Sequence, residues 1–276
     1  MSADVKQIRP AGDTLRVVQI TDTHLNRELG GKLVGMDTDH SLGHVISLIK
    51  KERGIPDLVL GTGDISDHGS EEAYRRAEDY FAELGAPVAW LPGNHDRADT
   101  MAQVLGKDGV LCRAIDAGRW LIVMLNSQIP GEVGGELGAD ELAWLDTCLG
   151  GARSREQHCL VCLHHQPVPM GSDWIDEQMV ADREAFFATL GRYSGVRAVL
   201  WGHVHQQLDT EKDGIRLMST PSSCIQFAPN SYDFKIDDMP PGYRWLDLHA
   251  DGSITTAVSR VEDIRFDVDL ESDGYL

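Results

Sequence analysis

Five short clusters of metal-ligating residue types punctuate this chain, each directly after an apolar, β-like run: Asp22 with His24, Asp64, Asn94 with His95, His164 with His165, and His203 with His205. This pattern constrains the fold more tightly than composition does, because a sheet whose strands end together can deliver all five clusters to one edge. Six of the eleven histidines fall inside the clusters, a concentration that scattered surface or core histidines would not give. The expectation is a hydrolase-like site for two metal ions.

Apolar periodicity predicts strands at Leu15 to Ile20, Leu58 to Leu60 and Val88 to Leu91, with amphipathic helices at Asp39 to Lys51 and Glu71 to Leu84 between them. This βαβαβ order predicts parallel strands with helices packed outside. A short helix near Asp99 to Leu105, a strand at Trp120 to Leu125 and a helix from Glu136 to Leu149, closed by Gly150 and Gly151, should follow. Cys159 to Leu163 and Ala198 to Trp201 read as strands around a helix at Arg183 to Leu190. Beyond His205, strands at Ile215 to Ser219, Tyr243 to Leu248 and Ile254 to Ser259 carry Asp-Gly turns at Asp213-Gly214 and Asp251-Gly252, which predicts a second, more antiparallel sheet.

At 276 residues the chain can bury a substantial core. The clusters span Asp22 to His205, so one unit must hold them. The expected organisation is a single domain over 1–276, with a ligand-bearing core at 13–210, C-terminal strands at 211–260 and an acidic tail at 261–276, either loose or an edge element. The formal charge of −19 argues against nucleic acid or an anionic membrane as partner. A small phosphate substrate stays open, because two bound dications reverse the local field. The N-terminal stretch lacks a basic segment followed by an apolar one, and no apolar run approaches the ~20 residues that span a bilayer, so a cytoplasmic location is expected. Five cysteines agree with a reducing compartment. Cys159 and Cys162 form a C-x-x-C, but in a strand a separation of three points them to opposite faces as buried thiols.

Residues two apart in an extended segment point the same way, so Asp22 with His24, and His203 with His205, could each grip one cation. Asp64 ends a Gly-Thr-Gly-Asp run, and with Ser66 where a third glycine would be needed the dinucleotide loop is excluded. Its carboxylate has oxygens for two metals. Asn94 offers a neutral amide oxygen, which keeps a metal pair net positive. His164 and His165, adjacent at a strand end, should point to opposite faces, one a ligand while its neighbour packs or hydrogen-bonds. No G-x-S-x-G elbow supports a serine hydrolase.

The order D-x-H, G-D, G-N-H-D, H and G-H-x-H, here Asp22 and His24, Gly63 and Asp64, Gly93 to Asp96, His164, and Gly202 to His205, resembles the calcineurin-like metallophosphoesterase superfamily. The resemblance implies an α/β fold, a four-layer αββα sandwich of two mixed sheets flanked by helices. It implies a first metal held by Asp22, His24, Asp64 and His205, and a second by Asp64, Asn94, His164 and His203, with Asp64 bridging. It also implies substrate binding by His24, Asn94, His95 and His203, with Asn94 and His95 as the catalytic pair and His95 protonating the leaving oxygen.

Within the superfamily the chain is most similar to the bacterial class III 3′,5′-cyclic AMP phosphodiesterases, over Leu163 to Pro169, Gly202 to Gln206, Thr220 to Phe227 and Pro241 to Trp245. One departure is the loop from Pro130 to Gly135, where some relatives place histidines. The resemblance implies hydrolysis of cyclic AMP to 5′-AMP by a metal-activated hydroxide, with iron or manganese as the ions and zinc or cobalt as alternatives. Another small diester, such as a glycerophosphodiester or a 2′,3′-cyclic nucleotide, is the alternative substrate, and a non-catalytic interaction module is the alternative of another class. A homodimer is left open. A stacked or apolar contact to the base is expected from Trp174 or Phe227.

Overall fold

The computed structural model describes residues 4–10, 12–106 and 109–274, so the last two residues of the acidic tail, Tyr275 and Leu276, lie outside the described residues. In chain order the elements are β1 (Val5–Gln7), β2 (Thr14–Ile20), β3 (Lys32–Leu33), β4 (Met36–Asp37), α1 (Thr38–Arg53), β5 (Leu58–Thr62), α2 (Glu71–Ala82), β6 (Val88–Leu91), α3 (Ala98–Leu105), β7 (Ala114–Ala117) and β8 (Trp120–Met124). They continue with α4 (Gly138–Ser154), β9 (His158–Cys162), α5 (Asp173–Asp176), α6 (Arg183–Leu190), β10 (Val196–Trp201), β11 (Leu208–Lys212), β12 (Ile215–Ser219), β13 (Gln226–Phe227), β14 (Ile236–Asp237), β15 (Gly242–His249) and β16 (Ile254–Arg260).

Two mixed sheets face each other. One has the order β16-β15-β2-β5-β6, the other β1-β7-β8-β9-β10-β12-β11. Strand alternation builds three apolar layers. Val17, Leu58 and Leu60 point between the sheets, where they meet Leu160, Cys162, Ala198 and Leu200 of the facing sheet. Their neighbours Val18 and Val59 point outward onto α1 and α2, through Val45, Ile46, Tyr74 and Phe81. On the far side Val161, Val199 and Trp201 pack beneath Leu145 and Leu149 of α4 and Phe186 of α6. The result is the αββα sandwich. Strands covered on both faces are predominantly apolar, as central parallel strands tend to be. Cys159 and Cys162 fall in the two different layers flanking β9, as their spacing requires.

The partition of strands corrects two expectations. The five clusters do not leave one sheet: β2, β5 and β6 carry Asp22, His24, Asp64, Asn94 and His95, whereas β9 and β10 carry the other four histidines. Nor do the C-terminal hairpins make a sheet of their own. The β11-β12 hairpin extends the seven-stranded sheet and β15-β16 extends the five-stranded one. Helix α4 also runs through Gly150 and Gly151 instead of ending there. Each interior glycine costs about 1 kcal/mol relative to alanine, and burial of Leu149 and Ala152 on either side of the pair outweighs it.

After β16 the tail is an extended segment rather than a strand. Ile264, Phe266 and Val268 turn inward while Arg265, Asp267 and Asp269 stay exposed, and the Asp269 N–H donates to Val34 O at 2.9 Å. The tail is thereby pinned across the β3-β4 hairpin. Among the described residues no helix is long and apolar enough to cross a membrane.

Candidate metal centre

Five of the cluster residues have left-handed backbones: Asp22, His24, Asp64, His203 and His205 have φ of 53°, 45°, 51°, 64° and 47°. For a non-glycine residue this conformation costs roughly 1–2 kcal/mol and persists where the surroundings over-determine it. Here the loops after β2 and β5 clamp each other: Asp22 N–H donates to Gly63 O at 3.0 Å, and His24 N–H to Asp64 O at 2.9 Å. The paired residues of D-x-H and H-x-H do reach one site, but by alternating left-handed turns and not, as strand alternation suggested, from an extended segment.

Three glycines let these loops meet the other sheet. A Cβ on Gly202 would lie 2.1 Å from Thr21 Oγ1 and 2.7 Å from Asp22 Oδ2; on Gly93 it would lie 2.7 Å from His164 Nε2 as well as 2.2 Å from Asp64 Oδ1; on Gly63, with φ of +95°, it would lie 2.3 Å from His164 Nδ1. Only hydrogen fits in each gap. Beneath the site buried Gln19 ties the two sheets, its amide donating to Thr62 Oγ1 at 2.7 Å and to Trp201 O at 3.2 Å.

Four imidazoles have Nδ1 engaged by a hydrogen bond, and three of them, His24, His164 and His205, present Nε2 to one another or to a side-chain oxygen. His164 Nδ1 donates to Thr62 O at 2.7 Å, His205 Nδ1 to Ile225 O at 2.9 Å, His95 Nδ1 to Asp67 O at 3.0 Å, and His24 Nδ1 to Asp67 Oδ1 at 3.3 Å. Fixing the proton on one ring nitrogen frees the other as a metal donor. His24 Nε2 then lies 3.2 Å from His205 Nε2. His205 Nε2 is 3.4 Å from Asp22 Oδ1, and His164 Nε2 is 3.2 Å from Asp64 Oδ2 and 3.1 Å from Asn94 Oδ1. Ligand bonds of about 2.0–2.2 Å put neighbouring donor atoms roughly 3.0–3.5 Å apart, which is the spacing found. Asp22 belongs both with His24 and His205 and with Asp64 and His164, while His164, His165 and His203 form a third close group. Among the described residues, the buried Nε2 atoms of His165 and His203 have no hydrogen-bond partner, the expected condition of a donor built for a cation.

Electrostatics fit the same use. Burial opposes charge on His24 and His164, but the Asp67 hydrogen bond and Asp64 hold His24 above its ordinary pKa, and Asp64 raises His164 to about 9. Burial, with His165 and His164 adding to it, pushes His203 well down; burial likewise lowers His205, and lowers His165 to about 3. Asp64 stays ionised far below the carboxylate range, because His164 and His95 outweigh its burial. The neutral rings are ready donors, and a cation among the carboxylates removes the field that holds the other two protonated.

The seven expected metal donors and His95 converge there, with a second change of geometry. His164 and His165 do not face apart, since β9 ends at Cys162 and both follow it in a bend. Their ring centroids are 4.9 Å apart, and His165 also reaches His203 at 4.7 Å while its Nδ1 meets Ser127 Oγ at 2.8 Å. Phe227 is not a base contact: it is buried and stacks on His205. Three further contributors stand outside the expected donor set, and of these only Asp96, the last residue of G-N-H-D, carries a sequence signal. Asp67 orients His24 and His95; Asp96 accepts from Gly93, Ile65 and Ser66 N–H groups and from Tyr74, clipping two loops together; Gln128 donates to Gly93 O and Asp96 O at 2.6 Å. The loop that lacks histidines braces the site instead, with Gly135 against the His165 ring.

Residues 15–207 match the family described as calcineurin-like phosphoesterase. The chain belongs to that family. It is 43% identical over 267 residues to the 3′,5′-cyclic adenosine monophosphate phosphodiesterase CpdA of Pseudomonas aeruginosa, covering 96% of this chain and 97% of that protein. It is 39% identical over 263 residues to the CpdA of Escherichia coli K12, covering 95% of each. Among solved structures it resembles a dimetal phosphatase from Danio rerio, with a TM-score of 0.61 at 17% identity over 88% of this chain and 99% of that one. That likeness bears on the fold. As a calcineurin-like phosphoesterase with buried His and Asp groups, the chain is a metal-binding hydrolase.

Proposed function

We propose that this phosphoesterase hydrolyses 3′,5′-cyclic AMP to 5′-AMP at a centre for two metal ions. Asp22, His24, Asp64 and His205 would hold the first, and Asp64, Asn94, His164 and His203 the second. The observation that carries the reading is the pair of overlapping donor groups around Asp22 and Asp64, in a chain whose relatives are cyclic AMP phosphodiesterases. No expected donor is replaced, which speaks against a non-catalytic module. Mixed imidazole and oxygen donors suit iron, manganese, zinc or cobalt alike, and iron or manganese is the proposed pair.

When bound, the ions supply Lewis acidity toward the phosphoryl oxygens and make water acidic enough to attack at neutral pH. Hydrolysis adds a water oxygen to phosphorus, breaks the bond to the 3′ oxygen and leaves that oxygen needing a proton. His95 would hold that proton. Its Nδ1–H is spent on Asp67 O, and Asp67 Oδ1, 3.6 Å from the same nitrogen, can stabilise a second proton on the ring. Burial holds the His95 pKa low, so an arriving phosphate, which favours imidazolium, loads the acid. The His95 N–H donates to Asp64 Oδ1 at 2.9 Å, which fixes the loop carrying both Asn94 and His95. Asn94, His24 and His203 would stabilise the charge that gathers on the phosphoryl oxygens.

The test is a substrate panel on metal-reconstituted protein, with cyclic AMP, cyclic GMP, 2′,3′-cyclic AMP, a glycerophosphodiester and bis(p-nitrophenyl) phosphate. Cyclic AMP should show the highest kcat/KM of the natural diesters. A higher value for 2′,3′-cyclic AMP or the glycerophosphodiester overturns the reading.

A further inference from the structure

Beside the metal centre lies a cavity of about 320 Å³ whose lining includes Asn94, His95, Trp174, Gln178, Phe234 and Asp273. Its walls differ in origin. Asn94 and His95 belong to the centre, whereas Trp174 and Phe234 form an aromatic corner, with ring centroids 5.2 Å apart in an edge-to-face arrangement. Ser231 accepts from the Trp174 indole at 3.3 Å, and Phe227 meets the same ring at 5.0 Å, so the indole is held from two sides. The last wall comes from the chain's C-terminal segment. Phe266 packs on the His40 and His44 rings at 5.8 and 6.0 Å, and Asp269 is hydrogen-bonded to Val34. From that anchor the segment reaches the cavity mouth, where Asp273 is exposed at the rim.

Resting on the cyclic-nucleotide reading above, we propose that this cavity receives the nucleobase and that Asp273 is a specificity-determining residue, accepting a hydrogen bond from the exocyclic amino group. A planar ring of aromatic character stacks on an indole or phenyl face. A carboxylate is acceptor-only when ionised, so it rewards a base edge that carries N–H donors and gives nothing to one that lacks them. Asn94 and His95 line the cavity and belong to the centre, so a nucleotide could span both. The acidic tail thereby acquires a role at the site despite the surrounding negative charge: it reads the uncharged base, while the phosphate is directed to the histidine-rich end.

The experiment compares cyclic AMP with the 3′,5′-cyclic monophosphate of purine riboside, which has the same ring without the amino group. Bis(p-nitrophenyl) phosphate, which has no N–H donor, is the control. The full-length enzyme should favour cyclic AMP by roughly tenfold in kcat/KM, the range of one hydrogen bond to a charged group. Asp273→Ala should abolish that preference and leave the control unchanged. Calorimetric titration with 5′-AMP and purine riboside 5′-monophosphate should show the same preference, and its loss, in Kd. Equal handling of the two bases by the wild-type enzyme, or a preference that survives in Asp273→Ala, overturns the proposal. An Asp273→Ala loss shared equally by all three substrates also overturns it. Turnover of bis(p-nitrophenyl) phosphate with none of either cyclic nucleotide would instead sink the substrate reading on which the proposal rests.

Discussion

The Phe227 ring lies flat against the His205 imidazole, with centroids 4.1 Å apart and 6° between the planes. Together with the Ile225 carbonyl on Nδ1, 2.9 Å away, the stack leaves His205 one orientation, in which Nε2 faces Asp22 and His24. A residue of the short strand β13, outside the five clusters, therefore aims a candidate metal donor.

Replacing Phe227 by Leu keeps the apolar volume and removes the flat support. Partners of this kind are worth about 10- to 100-fold in metal affinity or activity. Phe227→Leu should therefore weaken metal binding by about tenfold or more, measured by competition with a chelator, while the melting temperature moves little. Unchanged metal affinity would reduce Phe227 to core filling.

Gly202→Ala tests the close approach of the two sheets. Its Cβ would overlap Thr21 Oγ1 and Asp22 Oδ2, at 2.1 and 2.7 Å, and the neighbouring His203 N–H, which donates to both Asp22 oxygens at 3.0 and 3.1 Å, would be displaced. Backbone and carboxylate cannot both yield cheaply in a packed interior. The variant should lose activity by at least about 100-fold, as misplacement of about 1 Å does, with a matching loss of bound metal by elemental analysis. Full metal content with wild-type activity would show the gap to be soft.

His164 and His165 separate a donor from its neighbour. His164 is poised by Thr62 and meets both Asp64 and Asn94, whereas His165 is held by Ser127. His164→Ala should remove one metal equivalent and most activity. His165→Ala should retain both equivalents and lose activity more modestly. Equal metal loss in the two variants would make His165 a ligand as well, as its orphaned Nε2 allows.

His95 distinguishes leaving-group chemistry from metal binding. If it protonates the 3′ oxygen, His95→Ala should lower kcat on cyclic AMP by about 10²- to 10⁴-fold, the span of one acid–base group, with metal content intact. On bis(p-nitrophenyl) phosphate, whose leaving group needs little protonation, the loss should be much smaller. Equal losses would assign His95 to charge stabilisation of the phosphoryl oxygens.

Local sequence determined the strands before each cluster and the chemical types of the donors. Apolar runs such as Val17 to Ile20 and Cys159 to Leu163 bury both faces wherever they lie, and a donor that directly follows such a run must sit at the sheet's edge. The same feature hid the partition between sheets: a strand apolar on both faces carries no mark of its partners, and pairing is settled by contacts distant in sequence, such as β10 with β12 and β2 with β15. Tertiary structure alone decided the left-handed turns at Asp22, His24, Asp64, His203 and His205, because a positive φ in a non-glycine residue is imposed by neighbouring loops rather than preferred locally. It also decided the inward turn of His165, the use of Asp67 and Phe227 to aim imidazoles, and the path that brings Asp273 to the cavity mouth. Each depends on which surfaces meet after the two sheets close on one another, a relation that no window of sequence contains.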